Sequence, residues 1–390
     1  MKVCFETFGC RLNRAEALQR EAEYLAKGWE VTTVHKEADL FIVRGCSVTH
    51  RAQHDCKALI AHLKKHYAQK PIVVEGCLPD ELKKASSRAV LAENPLATPT
   101  RTARAYLKVQ DGCAGKCAFC IVPQFRGASK SVPWDDALAK AQRFIDAGYH
   151  EIVVTGCNLA LYASQGKRLP ELLAALAALS PDTRIRLGSV EPGPCAREVV
   201  DAFVEHTNIC RFLHLPVQSG SNRILLAMKR PYLTKDIDEI VQYATKRLPL
   251  IGLGCDLMTG FPGETEVDFL ATQGLLKRHA FSNSHIFPYS ERPNTLAAGL
   301  PFAVDPKIRH ERAHKLSDQA AHLRSKAAQK HIGKDVEVLI EDEKKLTGWT
   351  GEYFACEITN KTRGQAIHRK ELIRVHVMTS HHGHLKAVLV

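Results

Sequence analysis

Apolar residues recur with two periods in the central part of the chain, and this alternation predicts a repeating βα architecture. Short apolar runs indicate buried strands, and the stretches between them show the three- and four-residue spacing of amphipathic helices. Six such repeats predict an α/β fold built on a parallel sheet rolled into a partial (β/α)6 barrel, short of the usual eight. The strands are expected at 106–110, 151–155, 185–190, 212–217, 251–259 and 285–288, and the helices at 133–147, 170–179, 196–205, 236–247 and 264–277.

The residues before this barrel predict a small α/β domain at 1–82, and the stretch 83–104 has the composition of a linker. Within the small domain, Cys10, Cys46 and Cys77 each follow the end of a strand. Open α/β sheets bind their ligands at the carboxyl ends of the strands, so these cysteines are candidate ligand-binding residues. The strands are expected at 2–7, 40–43 and 72–75, and the helices at 15–26 and 58–66.

The chain ends with two further pieces after the barrel domain at 105–304. Residues 305–330 predict one basic helix. Residues 331–390 alternate apolar and polar positions between turns that contain glycine, as in Val336, Val338 and Ile340, which predicts a small C-terminal β-barrel.

Composition excludes several classes of protein. With 45% apolar residues among 390, the chain has enough material for a core, and disordered, collagen-like and coiled-coil chains are excluded. It contains no apolar run of about 18 residues and no signal-peptide pattern, so we expect a cytoplasmic protein without a membrane span. Its 54 basic and 42 acidic residues give a net charge of +12, which suits a polyanionic partner but also an ordinary solvated surface.

Thirteen cysteines include one closely spaced triplet, Cys113, Cys117 and Cys120, immediately after a predicted strand. Three thiolates on one loop can hold three irons of a [4Fe–4S] cluster and leave the fourth iron open. Zinc is an alternative, with Cys157 or a distant residue as the fourth ligand, and so are buried free thiols.

This C-x3-C-x2-C loop resembles that of the radical S-adenosylmethionine (radical SAM) superfamily, in which the open iron binds the cofactor and Phe119 would lie beside the adenine. The flanking segments resemble the methylthiotransferase branch of that superfamily. The resemblance implies a radical enzyme that consumes two cofactor molecules per product, one for a methyl group and one for the radical. The segments that carry it are 108–113, 121–127, 151–158, 186–192, 214–220, 256–264 and 287–293.

The segments around Cys10, Cys46 and Cys77 resemble the places where this family holds a second, auxiliary [4Fe–4S] cluster. The resemblance therefore implies two clusters, one that generates the radical and one that holds the sulfur to be inserted. Arg44-Gly45 departs from the Asn-Thr expected before the second of these cysteines, and the interval from Cys77 to Cys113 is short for the family.

The resemblance also implies contacts to the cofactor and to RNA. For the residues expected to contact the cofactor, ordinary loop capping is an alternative role. For the residues expected to contact RNA, a solvated surface is the alternative. Cofactor contacts are expected from residues at strand ends, namely Thr155, Gly156, Asn158, Ser189, Glu191, Gln218 and Ser219. Contacts to RNA phosphates and a base are expected from Arg126, Lys229, Arg230 and Tyr232.

The family divides by substrate, and the residues after Cys10 indicate the branch. Arg-Leu-Asn13 resembles the branch that inserts a methylthio group at C2 of N6-threonylcarbamoyladenosine, next to the anticodon of tRNA. The sister branches act on isopentenyladenosine in tRNA or on a ribosomal-protein aspartate. The C-terminal barrel resembles the family's RNA-binding TRAM module. The implied partners are tRNA, a sulfur donor and an electron donor such as flavodoxin or ferredoxin; an RNA-binding protein with structural zinc, or a one-cluster radical enzyme, is the alternative.

Overall fold

The computed structural model describes residues 1–84, 102–360 and 366–390, so most of the expected linker at 83–104 lies outside the described residues. An α/β unit, a partial barrel and a small closed β-barrel follow one another along the chain. Within the described ranges, no helix combines the length and the apolar composition that a membrane crossing requires.

The N-terminal unit is a four-stranded parallel sheet covered by helices on both faces. Its elements are β1 (Lys2–Thr7), α1 (Arg11–Ala26), β2 (Glu30–Val31), β3 (Leu40–Cys46), α2 (His50–His66), β4 (Ile72–Cys77) and α3 (Asp80–Lys83). The strand order is β2-β1-β3-β4. Phe41 and Val43 pack with Ile60 of α2, whereas Ile42 packs with Tyr24 of α1. Because both faces are covered, β3 is a continuous apolar run rather than an alternating one.

The central part confirms the expected partial barrel of six main strands. They form two three-stranded parallel sheets, and bridges from Ile185 to Ile209 and from Ser189 to His214 join these sheets into one curved wall. The strands are β5 (Ala105–Lys108), β8 (Glu151–Thr155), β11 (Arg184–Leu187), β12 (Phe212–Gln218), β13 (Gly252–Thr259) and β14 (Asn283–Pro288). The helices are α4 (Val122–Arg126), α5 (Trp134–Asp146), α6 (Leu169–Leu179), α7 (Pro194–Glu205), α8 (Asn222–Ala227), α9 (Thr234–Arg247) and α10 (Glu266–His279).

Two short antiparallel pairs in the loops of the barrel were not expected from the pattern. They are β6 (Gln110–Asp111) with β7 (Lys130–Ser131), and β9 (Ala163–Ser164) with β10 (Lys167–Arg168). The first pair closes the base of the loop that carries Cys113, Cys117 and Cys120. The strand expected at 106–110 is therefore divided. Its last residue, Gln110, belongs to β6 and pairs with Ser131 of β7, on the chain that leaves this loop.

Helix α11 (Pro306–Gln329) leads into a closed C-terminal barrel, as the alternating pattern predicted. Asp305 caps the helix by accepting a hydrogen bond from the Lys307 amide, and Pro306 occupies its first turn. The barrel strands are β15 (Asp335–Asp342), β16 (Thr347–Thr350), β17 (Ala355–Ile358), β18 (Leu372–His381) and β19 (His384–Leu389), in the order β15-β16-β17-β19-β18.

A buried carboxylate connects the two barrels. Glu151, at the start of β8, is fully buried and pairs with Arg104, Arg184 and Arg186 at 2.9, 2.5 and 2.8 Å. Arg184 and Arg186 also donate to backbone carbonyls of the C-terminal barrel, among them that of Trp349 at 2.7 Å. The N-terminal end of the central sheet is thus fixed to the C-terminal barrel, and the carboxyl ends of its strands are left for a binding site.

Candidate active site

The loop with Cys113, Cys117 and Cys120 is held at the carboxyl end of the central sheet by backbone hydrogen bonds. The Ala118 amide donates to the Met228 carbonyl at 2.9 Å, and the Ala118 carbonyl accepts from the Ala297 amide at 2.8 Å. A side chain on Gly115 would lie 3.1 Å from Cys113 Sγ and 3.8 Å from Cys117 Sγ. Gly115, which has no side chain, therefore leaves space between the sulfur atoms of Cys113 and Cys117.

The three N-terminal cysteines converge at the carboxyl ends of β1, β3 and β4. Cys46 and Cys77 are register partners on adjacent parallel strands. A Cβ on Gly9 would lie 2.5 Å from Cys46 Cβ, so the residue before Cys10 must be glycine, which also tolerates the φ of +100° found there. The structure thus brings together three cysteines that are more than 30 residues apart in sequence.

Both cysteine triplets are spread more widely than one metal ion needs. A single zinc ion, with Zn–S bonds of about 2.3 Å, holds its sulfurs about 3.8 Å apart. Among the described residues, the groups of three possible ligands within 4.8 Å are Cys4, Glu6 and His35, and His214, Asp256 and His285. Neither triplet has this compact spacing, so both fit a multi-iron cluster better than zinc.

Arg126 connects the N-terminal triplet to the base of the loop that carries the other triplet. It ends the short helix α4, six residues after Cys120, and its side chain is only 8% exposed. Its Nε donates to Cys77 Sγ at 2.7 Å, and its terminal nitrogens donate to Glu16, Asp111 and Asn13 at 2.8–2.9 Å. This arginine therefore crosses from the central barrel to the N-terminal unit, with its charge held by protein groups instead of facing RNA.

Arg230 has the equivalent place beside the other triplet. It donates to Cys117 Sγ at 2.8 Å, to Glu191 Oε1 at 2.5 Å and to the Tyr232 hydroxyl at 2.7 Å. Tyr232 in turn donates to the Pro216 carbonyl. The geometry disagrees with the expected RNA contacts of Arg230 and Tyr232, because both side chains are buried.

The chain matches two known family descriptions. Residues 107–276 match the radical SAM superfamily, and residues 2–94 match the uncharacterized protein family UPF0004. A threonylcarbamoyladenosine tRNA methylthiotransferase of Aquifex aeolicus is 30% identical over 89% of this chain and 94% of its own length. A tRNA-2-methylthio-N(6)-dimethylallyladenosine synthase of Wolinella succinogenes is 32% identical over 89% and 90%. The chain belongs to the radical SAM methylthiotransferase family.

A solved structure supports the fold of this methylthiotransferase. The radical SAM methyltransferase TsrM of Kitasatospora setae, with cobalamin and a [4Fe–4S] cluster bound, aligns with a TM-score of 0.53 and 13% identity. The alignment covers 76% of this chain and 77% of that chain. Membership of the radical SAM family implies S-adenosylmethionine and one [4Fe–4S] cluster as cofactors.

The residues expected to contact the cofactor lie around the mouth of the barrel in the methylthiotransferase. The side-chain amide of Asn158 donates to Glu191 at 3.1 Å, and the backbone amide of Asn158 donates to Gln110 Oε1 at 2.9 Å. Gln218 Oε1 is buried and has no hydrogen-bond partner among the residues that the structure describes, and Gln218 has a φ of +66°. A buried acceptor with no partner suits a ligand that supplies a donor.

The remaining expected residues vary in exposure. Thr155 and Ser219 are buried, and Ser219 Oγ lies 3.3 Å from the Thr272 hydroxyl. Gly156 fits because a Cβ there would lie 2.9 Å from Gln110 Oε1. Ser189 and Lys229 are exposed.

An apolar surface lies next to the cysteine loop of the methylthiotransferase. Phe119 packs against a cluster that includes Met258 and Phe261, and Phe287 packs against the same cluster. This surface suits the face of a flat aromatic ring such as adenine, as the resemblance implied for Phe119.

Burial makes the cysteine thiols hard to ionise in the absence of a cation. It raises the pKa of Cys46 and Cys120 to about 11. It also raises the pKa of Cys77 and Cys117, although Arg126 and Arg230 respectively counteract this rise. Since a metal ligand must be a thiolate, one guanidinium beside each triplet helps to balance the negative charge that a bound cluster brings.

Two residues important for this geometry received no role from the sequence. Asn13 is buried and donates to the Phe8 and Gly45 carbonyls at 2.9 and 2.8 Å, which ties the loops of Cys10 and Cys46 together. Glu16 accepts from Arg126, Lys108 and Arg44. Asn13 was part of the motif around Cys10, but nothing in the local pattern distinguishes Glu16 from a surface residue of an amphipathic helix.

The departure at Arg44-Gly45 has a structural explanation. Arg44 donates to Glu16 at 2.7 Å and to Glu75 at 2.5 Å, so it joins the same charged network. A Cβ on Gly45 would lie 2.5 Å from Cys56 Sγ. These two residues therefore fit their surroundings, and they leave Cys46 beside Cys77.

Proposed function

We propose that this protein inserts a methylthio group at C2 of N6-threonylcarbamoyladenosine next to the anticodon of tRNA, with two [4Fe–4S] clusters. The observation that supports the proposal is the pair of cysteine triplets at the carboxyl ends of two sheets. Arg126 donates to Cys77 of one triplet and to Asp111 at the base of the loop that carries the other. Sulfur insertion needs a group that activates a C–H bond and a second group that holds sulfur. Two clusters, each with one open iron, provide a site for C–H activation and a separate site for the sulfur.

In this proposal, the residues divide between the two sites. Cys113, Cys117 and Cys120 hold the radical cluster, and Cys10, Cys46 and Cys77 hold the auxiliary cluster. When bound, S-adenosylmethionine supplies the methyl group and the one-electron chemistry that an unactivated C–H bond requires.

Polar groups near Cys117 are placed to orient the amino-acid part of the cofactor. Glu191 and Asn158 present a carboxylate and an amide next to the cysteine loop, and Arg230 holds Glu191 in place. Gln218 and Ser219 end the next strand, where the proposal assigns contacts to the ribose. Phe119 and Met258 supply the apolar surface for the base.

The substrate assignment rests on the motif after Cys10 and on the names of relatives. A relative of Bacillus subtilis, 29% identical over 90% of this chain, is also a threonylcarbamoyladenosine tRNA methylthiotransferase. Relatives of similar identity act on dimethylallyladenosine, so a sister-branch activity is the second candidate. The partners proposed with tRNA are a sulfur donor and an electron donor such as flavodoxin or ferredoxin.

Mass analysis of nucleosides from tRNA of a deletion strain tests the substrate. We expect the methylthio form of threonylcarbamoyladenosine to disappear and to return when the gene is restored, but not when the restored copy carries Cys113→Ala. Retention of that form, with loss of the isopentenyl derivative or of ribosomal methylthioaspartate, would move the protein to a sister branch. Zinc without labile sulfide in the anaerobically purified protein would contradict the radical chemistry altogether.

A further inference from the structure

Arg126 uses all three guanidinium nitrogens in contacts on both sides of the boundary between the N-terminal unit and the central barrel. On the barrel side it donates to Asp111 at 2.9 Å. On the N-terminal side it donates to Asn13 at 2.8 Å, to both oxygens of Glu16 at 2.9 Å and to Cys77 Sγ at 2.7 Å. Such a planar fork fixes both the position and the direction of the N–H group that faces the sulfur.

We infer that Arg126 is a positioning residue that sets the reduction potential of the auxiliary cluster and holds that cluster in register with the radical-cluster loop. The inference rests on the proposed function, because the auxiliary cluster is part of it. Hydrogen bonds to ligand sulfur are one of the means by which a protein tunes an iron–sulfur cluster. An N–H donor and a positive charge stabilise the more negative, reduced state, so they raise the potential.

The carboxylates around Arg126 do not redirect its Nε, because each has other cationic partners. Glu16 also accepts from Arg44 at 2.7 Å and from Lys108 at 2.5 Å, and Lys108 reaches Asp111 at 2.5 Å as well. Three cations thus share two carboxylates in this part of the network. Nε of Arg126 is left to donate to the sulfur of Cys77.

Arg44 provides a matched control within the same network. It is a buried arginine that donates to Glu16 and Glu75. Replacing Arg44 removes a cation and a carboxylate contact close to the site, as replacing Arg126 does. The difference between the two variants therefore reports the contacts that Arg126 alone makes, with Cys77, Asp111 and Asn13.

The experiment uses the full chain with Cys113, Cys117 and Cys120 all replaced by alanine, so that only the auxiliary cluster is reconstituted. The midpoint potential of that cluster is measured by redox titration followed by electron paramagnetic resonance, alongside iron and labile sulfide. In this background, Arg126→Gln is expected to shift the potential to more negative values, and Arg44→Gln to shift it much less. Arg126→Lys keeps the charge but loses the fork, so its shift should be intermediate.

The outcomes separate this inference from the proposed function. If the triple alanine background binds no iron, the two-cluster proposal fails. If about four irons are present and Arg126→Gln has the potential of its parent, or shifts no more than Arg44→Gln, the inference is overturned. Should Arg126→Gln bind no cluster, Arg126→Lys decides: a potential equal to that of the parent would contradict the inference.

In the two-cluster protein, weaker magnetic coupling between the reduced clusters in Arg126→Lys would support the inference, and unchanged coupling would count against the positioning role.

Discussion

At the scale of single residues, Cys157 is a cysteine outside both triplets whose surroundings can be compared with theirs. Cys157 lies near the proposed clusters, and its Sγ is 3.6 Å from Asp111 Oδ1. Burial raises its pKa to about 12, and the charges that act on it are those of Arg126, Asp111 and Cys77. Cys157 therefore lies beside the charged network. The sequence left open whether Cys157 is a fourth ligand together with Cys113, Cys117 and Cys120, and the neighbours of Cys157 do not support that role.

We expect Cys157→Ser to leave iron and labile sulfide unchanged, because each proposed cluster already has three protein ligands. The measurement is iron and sulfide content after anaerobic reconstitution, with Cys77→Ser as the control that should lose about half of the iron. A comparable loss in Cys157→Ser would instead make it a ligand.

The residue scale is also where sequence reasoning was least complete. The spacing of Cys113, Cys117 and Cys120 predicted one triplet, and the places of Cys10, Cys46 and Cys77 after strand ends, together with the family resemblance, predicted the other. Arg126 and Arg230, however, were expected to contact RNA, and each donates to a cysteine sulfur instead. A sequence states that an arginine is present but not which partner lies within reach, because the carboxylates that hold it come from distant elements. Glu16 is 110 residues away from Arg126.

At the scale of elements, the barrel strands followed from apolar runs because most of them, such as β8 and β11, are buried along their whole length. The two-residue strands of the loops were not predicted, since two residues carry no period. The contact between β8, β11 and the C-terminal barrel was not predictable either. It depends on Glu151, whose pKa three guanidinium groups hold well below its usual range despite burial, which alone would raise it.

We expect Glu151→Gln to lower the free energy of unfolding by roughly 3–5 kcal/mol, because it leaves three buried cations without their shared carboxylate. Denaturant unfolding at pH 7 measures this, with the exposed Glu171→Gln as control. A loss as small as that of the control would contradict the role of Glu151.

The stabilisation by Glu151 should depend on pH. Since the folded-state pKa of Glu151 is lowered, its stabilisation is fully present above the pKa of the unfolded state, about 4.3. The difference between wild type and variant should therefore stay constant from pH 8 to pH 5 and shrink at lower pH.

At the scale of the whole molecule, Tyr353 is the residue where the three parts meet. It belongs to the C-terminal barrel, and its ring stacks on Phe212 of the central barrel at 4.8 Å. Its hydroxyl accepts from Arg11 of the N-terminal unit at 3.0 Å, and the guanidinium of Arg186 lies 4.9 Å from its ring centroid. The C-terminal barrel is therefore part of the support for the other two parts.

Tyr353→Ala should lower the free energy of unfolding by about 3 kcal/mol, the usual cost of deleting a packed aromatic ring. Tyr353→Phe keeps the ring and loses the hydroxyl's hydrogen bonding, which includes the bond from Arg11, so a cost of about 1 kcal/mol is expected. Urea titration followed by far-UV circular dichroism measures both. Equal losses in the two variants would mean that the hydroxyl, and not the ring, joins the three parts.

The place of Arg126 in the chain has a consequence for biosynthesis. Cys10, Cys46 and Cys77 leave the ribosome first, but the guanidinium that faces Cys77 is made 49 residues later and belongs to the next folding unit. The proposed auxiliary site would therefore be completed only after the first loop of the barrel has formed and docked. On this proposal, an N-terminal unit transplanted into another protein would need a host that supplies the same arginine.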